Sequence, residues 1–313
     1  MKSKASAPGK VILFGEHFVV YGVKAILCTI DKRITVTAEK TKEKKISIKS
    51  NIGSLELEKN IPLSEINSPL KPFYFLANKI IKNHDTGIKI IVESDIPLGV
   101  GLGSSSACCV AGAAAISRLF SNATKEEILK LAIEAEKTIF QNTSGADCTV
   151  CTYGGIMEYD KEKGFIKIES QPNFHLVIAN SNIEHSTESV VAKVKDFKEK
   201  NEVEFATLCN NESKLVEGVL MEINQNNIKE IGKKVIQNQG YLEKIGVSND
   251  KLREMIKIGN NGSFGAKITG AGGGGCIFAL TNESNLEKTI KQFEERNFDC
   301  FSVKIDFTGL HTF

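Results

Sequence analysis

Arginine is scarce in this chain. Of 40 basic residues, only Arg33, Arg118, Arg253 and Arg296 carry a guanidinium. Bidentate arginine clamps on phosphate are therefore few, and any anion must be held by backbone N–H groups and lysine. A Gly-x-x-x-x-Gly-Lys-Ser/Thr phosphate loop is missing, as are the His-Arg-Asp and Asp-Phe-Gly signatures of protein kinases. No apolar run approaches membrane-spanning length, and Val11 to Phe14 is too short for a signal peptide before Gly15-Glu16-His17 cuts it. The Cys148-x-x-Cys151 pair has no second pair at metal-ligand spacing, so the eight cysteines read as buried free thiols in a reducing compartment. A net charge of +2 leaves no excess of one sign to attract nucleic acid or a membrane surface. These absences describe a cytoplasmic protein.

With 313 residues, 41% hydrophobic and 25% charged, the chain is long enough for two domains or one large one. Its most informative stretch is Ile96 to Ala107 (IPLGVGLGSSSA), which follows a strand-like run, Thr86 to Glu93, and leads into the small-residue run Ala107 to Ile116. Gly99, Gly101 and Gly103 let backbone approach a ligand, and the first N–H groups of a helix starting at Ser104, Ser105 and Ser106 lack partners. Strand, glycine loop and helix together suit a triphosphate. Taken alone, the stretch also fits a simple tight connection, or the start of a dinucleotide fingerprint. Against the last, Glu126 and Glu127 at the acidic position fall in a helical pattern.

Two short apolar runs around Gly15-Glu16-His17 suggest a hairpin or bent strand pair, with Lys10, Glu16 and His17 embedded in it. From Arg33, apolar and polar residues alternate, and Lys45 to Ser50 and Ser54 to Glu58 repeat the pattern about an Asn-Ile-Gly turn. An antiparallel sheet with one wet face is expected. A helix is predicted over Pro72 to His84, and a second over Lys125 to Phe140. Glu136 falls on or beside the apolar stripe of the second helix, where a carboxylate needs a partner, either a lysine or a metal ion. Asp147 ends the polar loop Gln141 to Ala146 and can serve as a helix cap. Further on, strands are expected at Ile156 to Tyr159, Phe174 to Ala179, Ala266 to Ile268, Ile277 to Leu280 and Phe301 to Ile305. Helices are expected over Ser186 to Lys200, Val203 to Gln239, Asn249 to Asn260 and Asn285 to Arg296. The glycines of Thr269 to Cys276 carry an entropic cost that a floppy hairpin or a ligand-wrapping loop would explain. A weak boundary lies near residues 160–173.

Three motifs, Ala7 to His17 with Gly22, Pro97 to Ala107, and Thr269 to Cys276, together resemble the GHMP family of small-molecule kinases, and within it the mevalonate kinases of archaeal type. Glu136 and Asp147, eleven apart around Ser144-Gly145, match the carboxylate pair of that group. The resemblance covers nearly the whole length. It implies an α+β, two-domain fold. Residues 1–172 would form an ATP-binding domain resembling ribosomal protein S5 domain 2, and 173–313 a ferredoxin-like domain. It also implies ATP held by Pro97, Gly99, Gly101, Leu102, Gly103, Ser104, Ser105 and Ser106, and Mg²⁺ held by Ser105 and Glu136. Asp147 would act on the substrate hydroxyl beside Lys10, and Glu16, His17, Thr187, Gly270 and Ala271 would meet mevalonate. A homodimer, with no nucleic acid or membrane partner, is implied as well. Phosphomevalonate kinase, mevalonate 3-kinase, galactokinase, homoserine kinase and a non-catalytic ligand sensor share the scaffold. This chain departs from many relatives at Phe140-Gln141 (His-Gly there) and at Thr143 (Pro there). His185 replaces an arginine of animal relatives, so feedback inhibition by prenyl diphosphates is not implied.

Overall fold

The computed structural model describes every residue except Leu98 and His185. The Leu98 position in the glycine loop and the His185 departure therefore lie outside the described residues. In chain order the first half runs β1 (Lys2–Phe14), β2 (Ala25–Thr41), β3 (Lys45–Ser50), β4 (Gly53–Glu58), α1 (Lys71–Ile81), β5 (Gly87–Ser94), α2 (Ser104–Ser117), α3 (Lys125–Glu136), α4 (Ala146–Tyr153), β6 (Ile156–Asp160) and β7 (Gly164–Ile168). The second half runs β8 (His175–Asn180), α5 (Thr187–Lys200), α6 (Glu202–Asn224), α7 (Ile228–Lys244), α8 (Asp250–Gly262), β9 (Gly265–Ile268), β10 (Cys276–Thr281), α9 (Glu283–Glu294), β11 (Cys300–Lys304) and β12 (His311–Thr312).

Eight strands form the first sheet, in the order β12-β1-β2-β5-β3-β4, with β6 on β2 and β7 on β6. The length of β2 makes this possible: Ala25–Cys28 pair with β6, while Ile34–Thr41 pair with β5. One pairing, β3 with β5, is parallel, so the wholly antiparallel sheet expected from the alternation is corrected to a mixed one. The crossover through α1 between β4 and β5 is the reason, because a helix-length connection allows a parallel return. Helix α2 lies on β1 and β2, and its Ala and Gly run brings it close to α1: a Cβ at Gly112 would sit 2.8 Å from the Phe73 ring. The second sheet is four-stranded and antiparallel, β11-β8-β10-β9, and is packed by α7, α8 and α9. A single apolar cluster joins Val11, Ile30 and Val110 of the first sheet side to Ile178, Val216 and Phe278 of the second.

Two other local expectations are corrected. Phe18 to Tyr21 is a 3₁₀ turn, not a strand, because Gly15 and Gly22 at φ 91° and 89° break the extended chain on either side. The predicted helix over Val203 to Gln239 is two helices, broken at Gln225 to Asn227 with Asn226 at φ 54°. The chain passes from the first sheet to the second between Ile168 and His175, but β12 returns to pair with β1. The expected division at 172/173 takes no account of that return. No helix among the described residues is long and apolar enough to cross a membrane.

Candidate active site

The glycine loop is fastened to the first strand. Lys10 N donates to Leu102 O at 2.9 Å, and Gly103 lies against the Lys10 side chain so closely that a Cβ there would be 2.6 Å from Lys10 Cγ. Gly103 is also at φ 72°, a left-handed conformation that L side chains rarely take, and it caps α2 without a side-chain bond. Ser104, Ser105 and Ser106 start the helix as expected and form its first turn, with Gly103 at the cap. The loop walls a cavity of about 900 Å³. Pro97, Gly99, Gly101, Leu102, Gly103, Ser104, Ser105 and Ser106 all line it, and Glu136, Asp147 and Thr187 face it from other elements. Because the first amides of an α-helix have no helical carbonyl to reach, the start of α2 presents N–H groups there.

Glu136 is the last residue of α3, not mid-helix as the predicted span to Phe140 required. Its carboxylate is 3% exposed, and its partners are the hydroxyls of Ser106 and Thr143. Neither a lysine nor an arginine pairs with it among the described residues. The serine in contact with it is Ser106, whereas Ser105 lines the cavity. No group of three or more His, Cys, Asp or Glu among the described residues could hold a metal by itself. A buried carboxylate and serine hydroxyls at a phosphate-sized cradle fit Mg²⁺, which characteristically takes one or two carboxylates and completes its shell with phosphate and water.

Asp147 stands in the first turn of α4, behind a Gly145 cap at φ 75°. It makes no side-chain cap bond; its Oδ2 lies 3.0 Å from Lys10 Nζ, the carboxylate 33% exposed and the lysine 8%. A half-open carboxylate beside a nearly buried ammonium can receive a proton from a bound hydroxyl and keep it oriented. The thiols around this pair are inert by burial, which pushes Cys28 up to about 12 and Cys148 and Cys151 well above the ordinary thiol value.

The third glycine loop is anchored. Thr269 Oγ1 donates to Ile12 O at 3.0 Å, and Gly273 N donates to Val247 O at 2.7 Å. Gly270 and Gly272 hold φ of 80° and 75°. His17 Nε2 meets Ala271 O at 2.7 Å, joining the first and third motifs. Burial lowers the His17 pKa, so the ring is neutral near pH 7 and donates from Nε2 to that carbonyl. His17, Gly270 and Ala271 stand apart from the cavity wall that Thr187 shares with the glycine loop.

The carboxylate of Glu16, a residue expected at the substrate, is 1% exposed and paired with the fully buried Lys267. Beneath that pair, Glu212 of α6 accepts from Gly15 N at 3.1 Å and Asn238 Nδ2 at 2.6 Å. Burial pushes Glu212 up to about 7, with the Glu16 charge the next cause. Lys267, Glu212 and Asn238 were not singled out by the sequence, and neither was the contact of Ser106 and Thr143 with Glu136. Only Lys267 left a signal there, a lysine inside a short apolar strand.

The family models described as "GHMP kinases N terminal domain" and "GHMP kinases C terminal" match residues 71–155 and 219–299, and the chain belongs to the GHMP kinase family. Within it, the chain is 37% identical over 309 residues to the mevalonate kinase of Pyrococcus furiosus, covering 92% of this chain and 91% of that one. The crystal structure of the Methanococcus jannaschii mevalonate kinase superposes at a TM-score of 0.86 with 31% identity, covering 96% of this chain and 98% of that one. The L. major mevalonate kinase in complex with R-mevalonate gives 0.85 with 26% identity, covering 96% of each.

Proposed function

We propose that this chain is a mevalonate kinase, transferring the γ-phosphoryl of ATP to the 5-hydroxyl of (R)-mevalonate to give 5-phosphomevalonate. The observation that carries the reading is the Lys10–Asp147 pair at the edge of the glycine-loop cavity, in a chain whose relatives bear that name over nearly their whole length. A sensor on the same scaffold has no use for a base beside a phosphate cradle.

Phosphoryl transfer needs in-line positioning and charge neutralisation more than covalent chemistry. The α2 amides and the Gly99 to Ser106 loop bind the triphosphate. Ser105 and Glu136 would hold Mg²⁺, which supplies charge neutralisation on the phosphate oxygens. Asp147 accepts a hydrogen bond from the acceptor hydroxyl and takes its proton late, since an alcohol is too weak an acid to lose it early. Lys10 holds Asp147 in place and meets the charge developing on the transferred group. Thr187 would meet the acceptor at the cavity wall, and His17 and Ala271, joined to each other, would meet it from outside the glycine-loop cavity. The same reading includes residues 1–172 as the ATP-binding part, a homodimer, a cytoplasmic location and a role in isoprenoid synthesis.

A coupled ADP-release assay with mevalonate, phosphomevalonate, galactose and homoserine tests it. Turnover with mevalonate alone is expected. Turnover with another acceptor instead reassigns the substrate, and ATP binding without turnover on any of the four returns the sensor reading.

A further inference from the structure

Both oxygens of the Glu136 carboxylate are engaged by hydroxyls from different elements. Ser106, in the first turn of α2 and 3% exposed, donates to Oε1; Thr143, in the loop before α4, donates to Oε2. Thr143 does more than meet the carboxylate. Its oxygen accepts the N–H of Gly145 at 3.2 Å, and Gly145 is the residue that caps α4 two positions before Asp147. Gly145 packs against α3, where a Cβ added to it would lie 2.7 Å from Ile133 Cδ1. Asp147 in turn reaches Lys10, and Lys10 N holds Leu102 of the glycine loop. The contacts thus run unbroken from the helix that starts the phosphate cradle, through Glu136, to the turn carrying Asp147, and back to the cradle.

We propose that Thr143 and Ser106 are positioning residues that fix the Glu136 carboxylate for a divalent cation arriving with the nucleotide, and that Thr143 ties this placement to the turn bearing Asp147. A carboxylate offers about four lone-pair directions, and two hydroxyls use two of them. Glu136 also lines the glycine-loop cavity, so the remaining directions would be available to a hard cation bound there. With a hydroxyl removed, the buried carboxylate is free to turn toward the other, and the cation loses a prearranged ligand. Outer partners of metal ligands characteristically contribute about 10- to 100-fold in metal affinity.

The proposal rests on the kinase reading only in that the cation comes with a nucleotide, and its test contains no acceptor. Calorimetric binding of ADP is measured with Mg²⁺ and again with EDTA. Thr143→Val keeps the β-branch and removes the donor. It is expected to weaken ADP binding about 10-fold with Mg²⁺ and less than about twofold in EDTA, and Thr143→Ser is expected to restore it. In a Glu136→Gln background Thr143→Val should change nothing further, because its effect runs through that carboxylate. Wild-type binding by Thr143→Val with Mg²⁺, equal weakening with and without the metal, or a Thr143→Ser variant no better than the valine would each overturn the proposal. Should Thr143→Val fail to fold, Thr143→Ala removes the same donor and carries the same expectation. Failure to phosphorylate mevalonate while these binding results hold would count against the function and not against this arrangement.

Discussion

The carboxylate of Glu212 should set a pH dependence on the stability of the whole chain. Glu16 and Lys267 already pair inside the protein, so Glu212 is a second carboxylate with no cation of its own, sealed beneath Gly15 and Asn238. Its ordinary value of 4.5 is pushed up to about 7, burial first and the Glu16 charge second. A carboxylate with a higher pKa folded than unfolded retains its proton on folding. The associated stability is full below pH 4.5, falls as pH rises through about 7, and is flat above. That displacement corresponds to about 3 kcal/mol. For a chain of 313 residues this is about 5 °C in Tm. Glu212→Gln holds the site neutral at every pH, and Asn238 Oδ1, which has no partner among the described residues, can accept from the new amide once Asn238 turns over. Thermal unfolding of both proteins between pH 4.5 and pH 8 should show the variant gaining about 5 °C on the wild type. Parallel profiles would show that Glu212 is ionised throughout and that the cluster carries three charges.

Other expectations concern the site and its frame. Asp147→Asn should lower turnover by about 100-fold or more while leaving ADP affinity within about twofold, as single-turnover and calorimetric measurements would report. Gly103→Ala should weaken nucleotide binding by at least about tenfold, because the new methyl meets Lys10 and the left-handed backbone costs about 1–2 kcal/mol; a variant with normal ADP affinity would separate the loop from the nucleotide. Arg33→Ala should cost about 3 kcal/mol in urea unfolding, since it strands the 9% exposed Asp306 carboxylate and the Gly309 carbonyl together.

What the sequence made legible was local. The alternation at Lys45 to Ser50, the helix at Pro72 and the glycine loop before a serine-started helix each depend on neighbours within a few residues, and each formed where periodicity put it. Lys10, Glu136 and Asp147 converge on one cavity region, although nothing in their spacing alone required it. The misses share a cause. Phe18 to Tyr21 has strand-like composition but is bounded by two glycines at positive φ, so backbone geometry overrode side-chain preference. Glu16 sat in a motif read as substrate-facing, and its pairing went unseen because its partner Lys267 lies 251 positions away on β9. Ser106 and Thr143 are ordinary polar residues in polar stretches, and only the fold shows that both reach one carboxylate. Long-range electrostatics is set by topology, and no window of sequence contains it.

β12 closes the outer edge of β1 with Ala5 opposite Thr312 and Ser6 opposite His311. The strand that carries Lys10 thus waits, during synthesis, for residues roughly 300 positions later before its edge is covered. Until then the chain leaving the ribosome presents open N–H and C=O groups at Ala5 and Ser6, a template for pairing with a second nascent copy. Slow translation of the second half would lengthen that exposure. Yield from expression should therefore respond to codon speed after Ile168 more than before it, a matter of timing in a fold whose finished form gives no hint of haste.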